Sequence, residues 1–263
     1  MEIRPPAAAG VFYPADRWQL ERTLRALLDE APKGRAPKAL IVPHDVYADI
    51  GPLVAAAYAR LAQDRDVIRR IILLGPAHFV RVAGIALCSA EAFATPLGVL
   101  HVDVPTLRRL SMLPYVAVED LAHAFEHSLE VHLPFLQEAL DRVLIVPLAV
   151  GNLPADTIGM LLTALWGGPE TRIIVSSDLS HYLASPMALT LDQATAHTIE
   201  TLERHGVVEG MACGRQAING LLWIARARQM QVERIGLGQS GRGESDRVVG
   251  YGVFAFFDES FAE

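Results

Sequence analysis

The chain has 263 residues, of which 51% are hydrophobic and 20% are charged, and its formal net charge is −7. A chain of this size and composition builds a core that needs no disulfide or structural metal. The acidic balance and the lack of a basic tail argue against nucleic-acid and anionic-membrane binding. The two cysteines form no Cys-x-x-Cys pair, no apolar run would span a bilayer, and the first residues lack a signal-peptide layout. We therefore expect a cytoplasmic protein with reduced thiols.

The predicted elements alternate between strand and helix patterns along the chain. Short apolar runs that stop at glycine or proline indicate buried strands, and longer segments with helical spacing indicate helices. In chain order these are a strand from Lys38, a helix from Ile50, strands from Arg69 and Gly84, a hairpin from Phe93 with its turn at 96–98, a helix from His123 interrupted or restarted at Pro134, a strand from Arg142, a helix over 154–166, a strand from Thr171, helices over 187–204 and 213–228, and two C-terminal strands joined by a glycine-rich loop from Gly236.

The alternation predicts one α/β domain over residues 1–263. We find no internal repeat, low-complexity tract or linker in the sequence. Consecutive βα units imply a three-layer αβα fold with a central mixed, mainly parallel sheet. In such sheets, ligands bind beyond the carboxyl ends of the strands, so the chemistry is expected there.

Histidines follow three of the predicted strands at that edge. His44 and Asp45 come directly after the first strand, His78 follows a Gly-Pro turn after the second, and Asp178 and His181 follow the fifth. Imidazole and carboxylate groups bind transition metals and also transfer protons near neutral pH. A single histidine at such a place is usually a hydrogen-bonded loop residue, so the prediction of a shared site depends on the repetition across strands.

A second polar cluster lies in the segment from His123 to His132. His123 and His127 are four residues apart, as are Glu126 and Glu130, so a helix would place each pair on one face. One interpretation is a solvated polar stripe. The other is that Glu126 or His127 reaches the site and orients a ligand.

The cysteines and the glycine-rich loop are interpreted separately. Cys213 precedes a predicted helix, where peptide dipoles would lower its pKa and favour a metal-binding thiolate. Cys88 lies in an apolar strand pattern and is expected to be a small buried hydrophobe. The loop from Gly236 precedes a strand and lacks the Gly-Lys-Ser/Thr of a P-loop, so it predicts a flexible hairpin loop beside the pocket.

Six motifs occur in order along the chain. They are Gly10-Val11-Phe12-Tyr13-Pro14, Pro43-His44, Leu74-Gly75-Pro76-Ala77-His78, Glu126-His127-Ser128-Leu129-Glu130 with Leu133-Pro134-Phe135-Leu136, Ser176-Ser177-Asp178-Leu179-Ser180-His181-Tyr182, and Cys213-Gly214-Arg215. Together they resemble the Memo family, whose bacterial and archaeal members are called the B protein of the AmmeMemoRadiSam system. The resemblance covers nearly the whole chain.

The resemblance implies a fold similar to that of class III extradiol ring-cleavage dioxygenases, which are non-haem iron enzymes. It implies a metal bound by His44, His78 and Cys213, with Asp178 and His181 lining the pocket. Iron or copper are the metals it implies. It also implies an AMMECR1-like protein and a radical-SAM protein as pathway partners.

One motif departs from the family, which has Ala-Gly-Tyr after the first Pro-His where this chain has Asp45-Val46-Tyr47. Asp45 adds a carboxylate beside His44, which the resemblance implies to be a metal ligand. Three roles remain open for Asp45: a further metal ligand, a base, or a surface residue that points away from the site. Loss of the glycine also indicates a different local backbone.

Three functions remain open at this stage. The first is a metal-dependent redox enzyme, with His181 as general acid/base oriented by Asp178 or Glu126. The dioxygenases bind their metal with two histidines and a carboxylate, and Cys213 in place of that carboxylate gives a softer ligand that favours copper or zinc. This difference argues against ordinary catechol cleavage. The second is a non-catalytic module whose vestigial pocket holds a metal, a small molecule or a peptide end. The third is a hydrolase that uses zinc to activate water.

Overall fold

The computed structural model describes residues 1–241 and 247–259. Its strands are β1 (Ile3–Arg4), β2 (Ala39–Val42), β3 (Arg70–Pro76), β4 (Ile85–Leu87), β5 (Ala92–Thr95), β6 (Gly98–Val102), β7 (Val116–Val118), β8 (Leu144–Val150), β9 (Thr171–Ser176), β10 (His181–Ala184), β11 (Gln231–Gln239) and β12 (Arg247–Phe257). Its α-helices are α1 (Arg17–Glu30), α2 (Tyr47–Leu61), α3 (Val104–Leu110), α4 (Leu121–Ala124), α5 (Leu133–Ala139), α6 (Ala155–Leu165), α7 (Ser185–Glu200) and α8 (Arg215–Ala227). Short 3-10 turns cover Ala62–Asp64 and Glu130–His132.

The strands form one mixed, mainly parallel sheet, as predicted. Its order is β1-β5-β6-β8-β3-β9-β2-β12-β10, with β11 beside β12 and with β4 between β8 and β7. The central run β6-β8-β3-β9-β2 is parallel throughout. The predicted hairpin is the antiparallel pair β5–β6. Because β3, β9 and β2 are neighbours and run in the same direction, their carboxyl ends meet at one edge of the sheet.

Helices cover this central sheet and complete the αβα layers. All four residues of β2 and all six of β9 are buried, which is the pattern of strands covered on both faces. Helix α2 packs on β2 and β12 and also contacts α1 and α5. Helix α8 packs on β3 and β9 and also contacts α6. Helix α7 packs against β10, β11 and β12. In the described part of the chain, no helix is long and apolar enough to cross a membrane.

The prediction of a helix from His123 is wrong over residues 125–129, whereas the predicted restart at Pro134 is confirmed by α5. Helix α4 ends at Ala124, and helical structure resumes only with the 3-10 turn at Glu130 and with α5. Pro134 lies in the first turn of α5, where its missing N–H costs nothing. In between, the backbone N–H groups of His127 and Ser128 donate to the Glu126 carboxylate instead of to a helical carbonyl. His123 and His127 therefore do not share a helix face, and neither do Glu126 and Glu130.

The C-terminal strands pair as an antiparallel hairpin, as predicted, but the loop between them is shorter. Gly236 to Gln239 belong to β11, opposite residues 250–253 of β12. Residues 242–246 of the predicted loop lie outside the described residues. The two preceding helices are also shorter than predicted, because α7 ends at Glu200 and α8 begins at Arg215.

Candidate metal centre

His44 lies at the centre of the sheet edge where β2 and β9 end. Its side chain is 2% exposed. The Nδ1 atom is 2.7 Å from the Ser176 hydroxyl at the end of β9, and the backbone N–H donates to Asp178 Oδ1 at 2.9 Å. Burial, and then the neighbouring histidines, holds the pKa of His44 well below its ordinary value. The ring is therefore neutral, and its Nε2 is the atom left to face other groups.

His78 follows β3 and is held by Glu126. Its Nδ1 lies 2.9 Å from Glu126 Oε1, and its backbone N–H donates to Oε2. Burial alone would raise the pKa of Glu126, but the hydrogen bonds and charge from His78 lower it to about 2. Because an ionised carboxylate only accepts, Nδ1 of His78 carries the proton that it donates to Glu126, which leaves Nε2 as the ring nitrogen that can bind a metal. Glu126 therefore fixes the orientation of the His78 ring, and the interpretation as a solvated stripe is wrong because Glu126 is buried.

His127 stacks directly on His78. The ring centroids are 4.9 Å apart, and the other face of His127 stacks on Phe12 at 4.3 Å. Nδ1 of His127 is buried and has no hydrogen-bond partner within the described residues. One donor atom from each of His44, His78 and His127 lies within 4.8 Å of the others. His127, predicted as a supporting residue, is thus placed among the donors themselves.

Asp178 and Cys213 form a second group on the other side of His44. The Nε2 atom of His44 is 3.5 Å from Cys213 Sγ and 3.6 Å from Asp178 Oδ2. The backbone N–H of Asp178 also donates to the sulfur at 3.3 Å. These three donors again lie within 4.8 Å of one another. No such group within residues 1–241 and 247–259 holds both His78 and Cys213, so the set implied by the resemblance is divided between two groups that share His44.

Burial favours the protonated forms of Asp178 and Cys213. Burial raises the pKa of Asp178 to about 7, against the opposing hydrogen bond from His44. Burial, and then the Asp178 carboxylate, raises the pKa of the Cys213 thiol to about 12. The predicted lowering of the Cys213 pKa is therefore wrong, because desolvation outweighs the nearby start of α8.

His181 stands beside Asp178. Its Nδ1 lies 2.9 Å from the Leu179 carbonyl, which can only accept, so Nδ1 carries the proton. Its Nε2 lies 3.9 Å from Asp178 Oδ2. Burial lowers the pKa of His181. The next residue, Tyr182, has a φ of 57°, a left-handed conformation that is uncommon for a tyrosine and often accompanies functional sites.

Asp45 and Tyr47 belong to neither donor group. One Asp45 oxygen accepts the Tyr251 hydroxyl at 2.7 Å and the other accepts the backbone N–H of Val46. The Tyr47 ring is buried, and its hydroxyl donates to the Val131 carbonyl. Asp45 therefore acts in this structure as an anchor for β12, and Tyr47 as part of the core beneath the site.

Three polar residues next to the site had no predicted role. Ser176 and Ser128 are fully buried, and so is His132, whose Nε2 is 2.9 Å from the Ser176 hydroxyl. The sequence offers one signal for Ser176, which is a hydroxyl at the end of an otherwise apolar strand. His132 has none, since it appears as one polar residue in a segment that resembles a helix.

Solvent reaches the site beside His78. The His78 side chain is 29% exposed. It borders a surface depression of about 350 Å³ that is lined by residues 77–82 together with Val150 and Gly151. A small molecule can therefore approach His78 without rearrangement of the core.

The comparisons with known proteins agree with this architecture. The family model described as Memo-like protein matches residues 4–255. A MEMO1 family protein of Aquifex aeolicus is 34% identical over 207 residues, which is 77% of this chain and 76% of the relative. The chain belongs to the Memo family. A MEMO1 family protein of Pyrobaculum arsenaticum is 31% identical and covers 97% of this chain and 99% of its own length.

A solved structure supports the fold independently. The crystal structure of the uncharacterized protein JW3007 from Escherichia coli K12 superposes with a TM-score of 0.53. It covers 84% of this Memo-family chain and 100% of its own length, at 17% sequence identity. At that identity, the likeness concerns the fold alone.

Proposed function

We propose that this Memo-family protein binds one transition-metal ion at His44 and uses it as a redox enzyme, with iron or copper as the metal. The observation that carries the proposal is the convergence of nitrogen, oxygen and sulfur donors on one buried histidine. Because Nδ1 of His44 is bonded to Ser176, only Nε2 is available to the two donor groups. The two groups therefore compete for one ion.

The residues fit such an ion by their chemistry. Imidazole, thiolate and carboxylate together suit iron, copper and zinc, and exclude a preference for magnesium or calcium. Nδ1 of His78 is committed to the Glu126 carboxylate, which leaves Nε2 as its donor atom, and His127 offers a ring nitrogen within 4.8 Å of the donor atoms of His44 and His78. Three protein ligands leave coordination positions open, and a bound redox metal would supply electron transfer or activation of a substrate there.

His181 and Asp178 would handle protons in this reaction. Nε2 of His181 carries a lone pair and can accept a proton, since Nδ1 is committed to the Leu179 carbonyl. Asp178, with its pKa near 7, can take up or release a proton at neutral pH. The depression beside His78 has room for a small-molecule substrate.

The cellular setting remains a proposal that follows from the family. We place the protein in the cytoplasm, in a pathway with an AMMECR1-like protein and a radical-SAM protein. We do not extend the proposal to phosphorylated partners.

The decisive experiment is elemental analysis of protein purified anaerobically without chelator or affinity-tag metal. We expect close to one iron or copper per chain in the wild-type protein, followed by metal-dependent oxygen consumption with candidate small molecules. Stoichiometric zinc would instead favour a hydrolase. If the protein holds no metal and takes up none on titration with iron, copper or zinc, the metal-enzyme proposal is wrong and a non-catalytic binding module takes its place.

A further inference from the structure

A chain of buried hydrogen bonds runs from His44 into the core. His44 Nδ1 lies 2.7 Å from Ser176 Oγ, His132 Nε2 lies 2.9 Å from the same oxygen, and the Tyr58 hydroxyl lies 3.0 Å from His132 Nδ1. All four residues are at most 1% exposed. The chain links β2, β9, the 3-10 turn at Glu130–His132 and helix α2.

The Ser176 hydroxyl has three partners but only one proton. Its oxygen is 2.6 Å from the Ser128 carbonyl, which can only accept, so the Ser176 proton is directed there. Both lone pairs of Ser176 Oγ must then accept hydrogen bonds. The nitrogens that face them, Nδ1 of His44 and Nε2 of His132, must each carry a proton.

The remaining protons follow from the same count. His132 is neutral, because burial lowers its pKa to about 3. With its one proton on Nε2, Nδ1 of His132 must accept, and the Tyr58 hydroxyl donates to it. Every donor in the chain then has an acceptor, as a buried network requires.

We propose that Ser176 is a positioning residue that fixes His44 in the tautomer with the proton on Nδ1, so that the Nε2 lone pair faces Asp178, Cys213 and the other histidines. Ser128 and His132 set the direction of the Ser176 hydroxyl and thereby act through it. The consequence for metal binding rests on the proposed function, whereas the tautomer itself does not. Without Ser176, Nδ1 of His44 has no acceptor, and the ring is free to place its proton on Nε2.

The tautomers can be read in the metal-free protein by long-range proton–nitrogen NMR correlations of isotope-labelled histidines. We expect the proton on Nδ1 in His44 and on Nε2 in His132. In Ser176→Ala we expect His44 to populate the other tautomer. A wild-type His44 with its proton on Nε2 would overturn the proposal, as would an unchanged His44 tautomer in Ser176→Ala.

Zinc affinity gives a second measurement, made by competition with a chromophoric chelator. Ser176→Ala should bind Zn²⁺ about 10- to 100-fold more weakly than the wild type, which is the usual effect of removing a group that orients a ligand. The control is Thr195→Val, which removes another fully buried hydroxyl, bonded to the Leu191 carbonyl within α7. Its melting temperature should fall while its zinc affinity stays within about twofold of the wild type.

The outcomes separate the two proposals. Equal zinc affinity in Ser176→Ala and wild type would refute the positioning role. Predicted tautomers in a wild-type protein that binds no zinc, iron or copper would support the role of Ser176 and refute only the metal-binding function.

Discussion

The two sides of His44 offer a metal the same number of donors in different chemical states. On one side, His78 and His127 are partly exposed, with side-chain exposures of 29% and 16%, and the Glu126 carboxylate holds His78 in place. On the other side, Asp178 and Cys213 are buried, and burial keeps both protonated up to neutral pH or beyond. The nitrogen side is thus ready to bind, whereas the sulfur side must first lose protons.

This difference teaches how burial controls a mixed donor set. Metal ligands must be deprotonated, and an ion on the nitrogen side displaces neither the Cys213 thiol proton nor the Asp178 carboxyl proton. An ion that recruits Cys213 releases a proton and binds more tightly as the pH rises. The contributions of the two sides to metal affinity can therefore be distinguished by measuring the affinity at several pH values and in substituted proteins.

The largest effect is expected from His44→Ala, because both sides share this histidine. We expect metal affinity to fall by more than about 100-fold, beyond the usual cost of losing an orienting group. The control is His101→Ala, since His101 is exposed on β6 and pairs with the first residue of β8, at the opposite edge of the sheet. Isothermal titration with Zn²⁺ measures both variants. Stoichiometric, tight binding in His44→Ala would show that neither donor group is the site.

Cys213→Ala tests which side holds the ion. The wild-type affinity for Zn²⁺ should rise about tenfold per pH unit between pH 6 and 8 if binding displaces the thiol proton. Cys213→Ala should lower the affinity and flatten this slope, and Cys88→Ala should change neither, because Cys88 lies outside both groups. Full stoichiometry and an unchanged slope in Cys213→Ala would exclude the thiolate and assign the ion to the three histidines.

Glu126→Gln sharpens the comparison from the nitrogen side. One oxygen that accepts from His78 is replaced by an amide, so His78 loses its fixed orientation and we expect zinc affinity to fall about tenfold or more. Glu138→Gln is the control, because Glu138 pairs with the exposed Arg25 and belongs to neither donor group. An affinity equal to that of the control would mean that His78 does not contribute.

The last prediction concerns the stability of the core beneath both sides. His132 has a folded-state pKa of about 3, lowered by burial from 6.5, so the unfolded chain binds one more proton between these values. The burial of His132 therefore does not lower the free energy of unfolding above pH 6.5. As the pH falls from 6.5 towards 3, it lowers the free energy of unfolding by at most about 1.4 kcal/mol per pH unit. His132→Gln should unfold in urea with a shallower loss of stability between pH 6 and 4 than the wild type. Equal slopes would show that His132 titrates normally.

The parts of the fold that could be predicted are those with a strong local pattern. The apolar runs of β2, β3 and β9 end at proline or a polar residue, so their identity, direction and terminal histidines follow from local sequence. The hairpin β5–β6 follows from its turn. Strands shorter than four residues, such as β4 and β7, have too few side chains to show the alternation of a strand pattern. Of these two, only β4 lies within a predicted strand.

The segment from His123 to His132 shows where local pattern fails. Its composition and spacing favour a helix, yet Glu126 binds the backbone of His78, His127 and Ser128, and Glu130 binds Arg4, Tyr13 and the backbone of Ala7 and Ala8. Several of these partners lie more than 45 residues from Glu126 or Glu130 along the sequence. The free energy of satisfying two buried carboxylates outweighs the helix propensity of the segment.

By itself, the sequence determined that three buried strands end in His44, His78 and Asp178 with His181, because strand period is a local property, whereas the tertiary structure made those three strands neighbours. The tertiary structure alone decided that His127 joins the donors, that Asp45 turns to Tyr251, and that Cys213 is protonated. Each of these depends on burial and on partners distant in the chain, and desolvation and hydrogen bonding act through space rather than along the sequence.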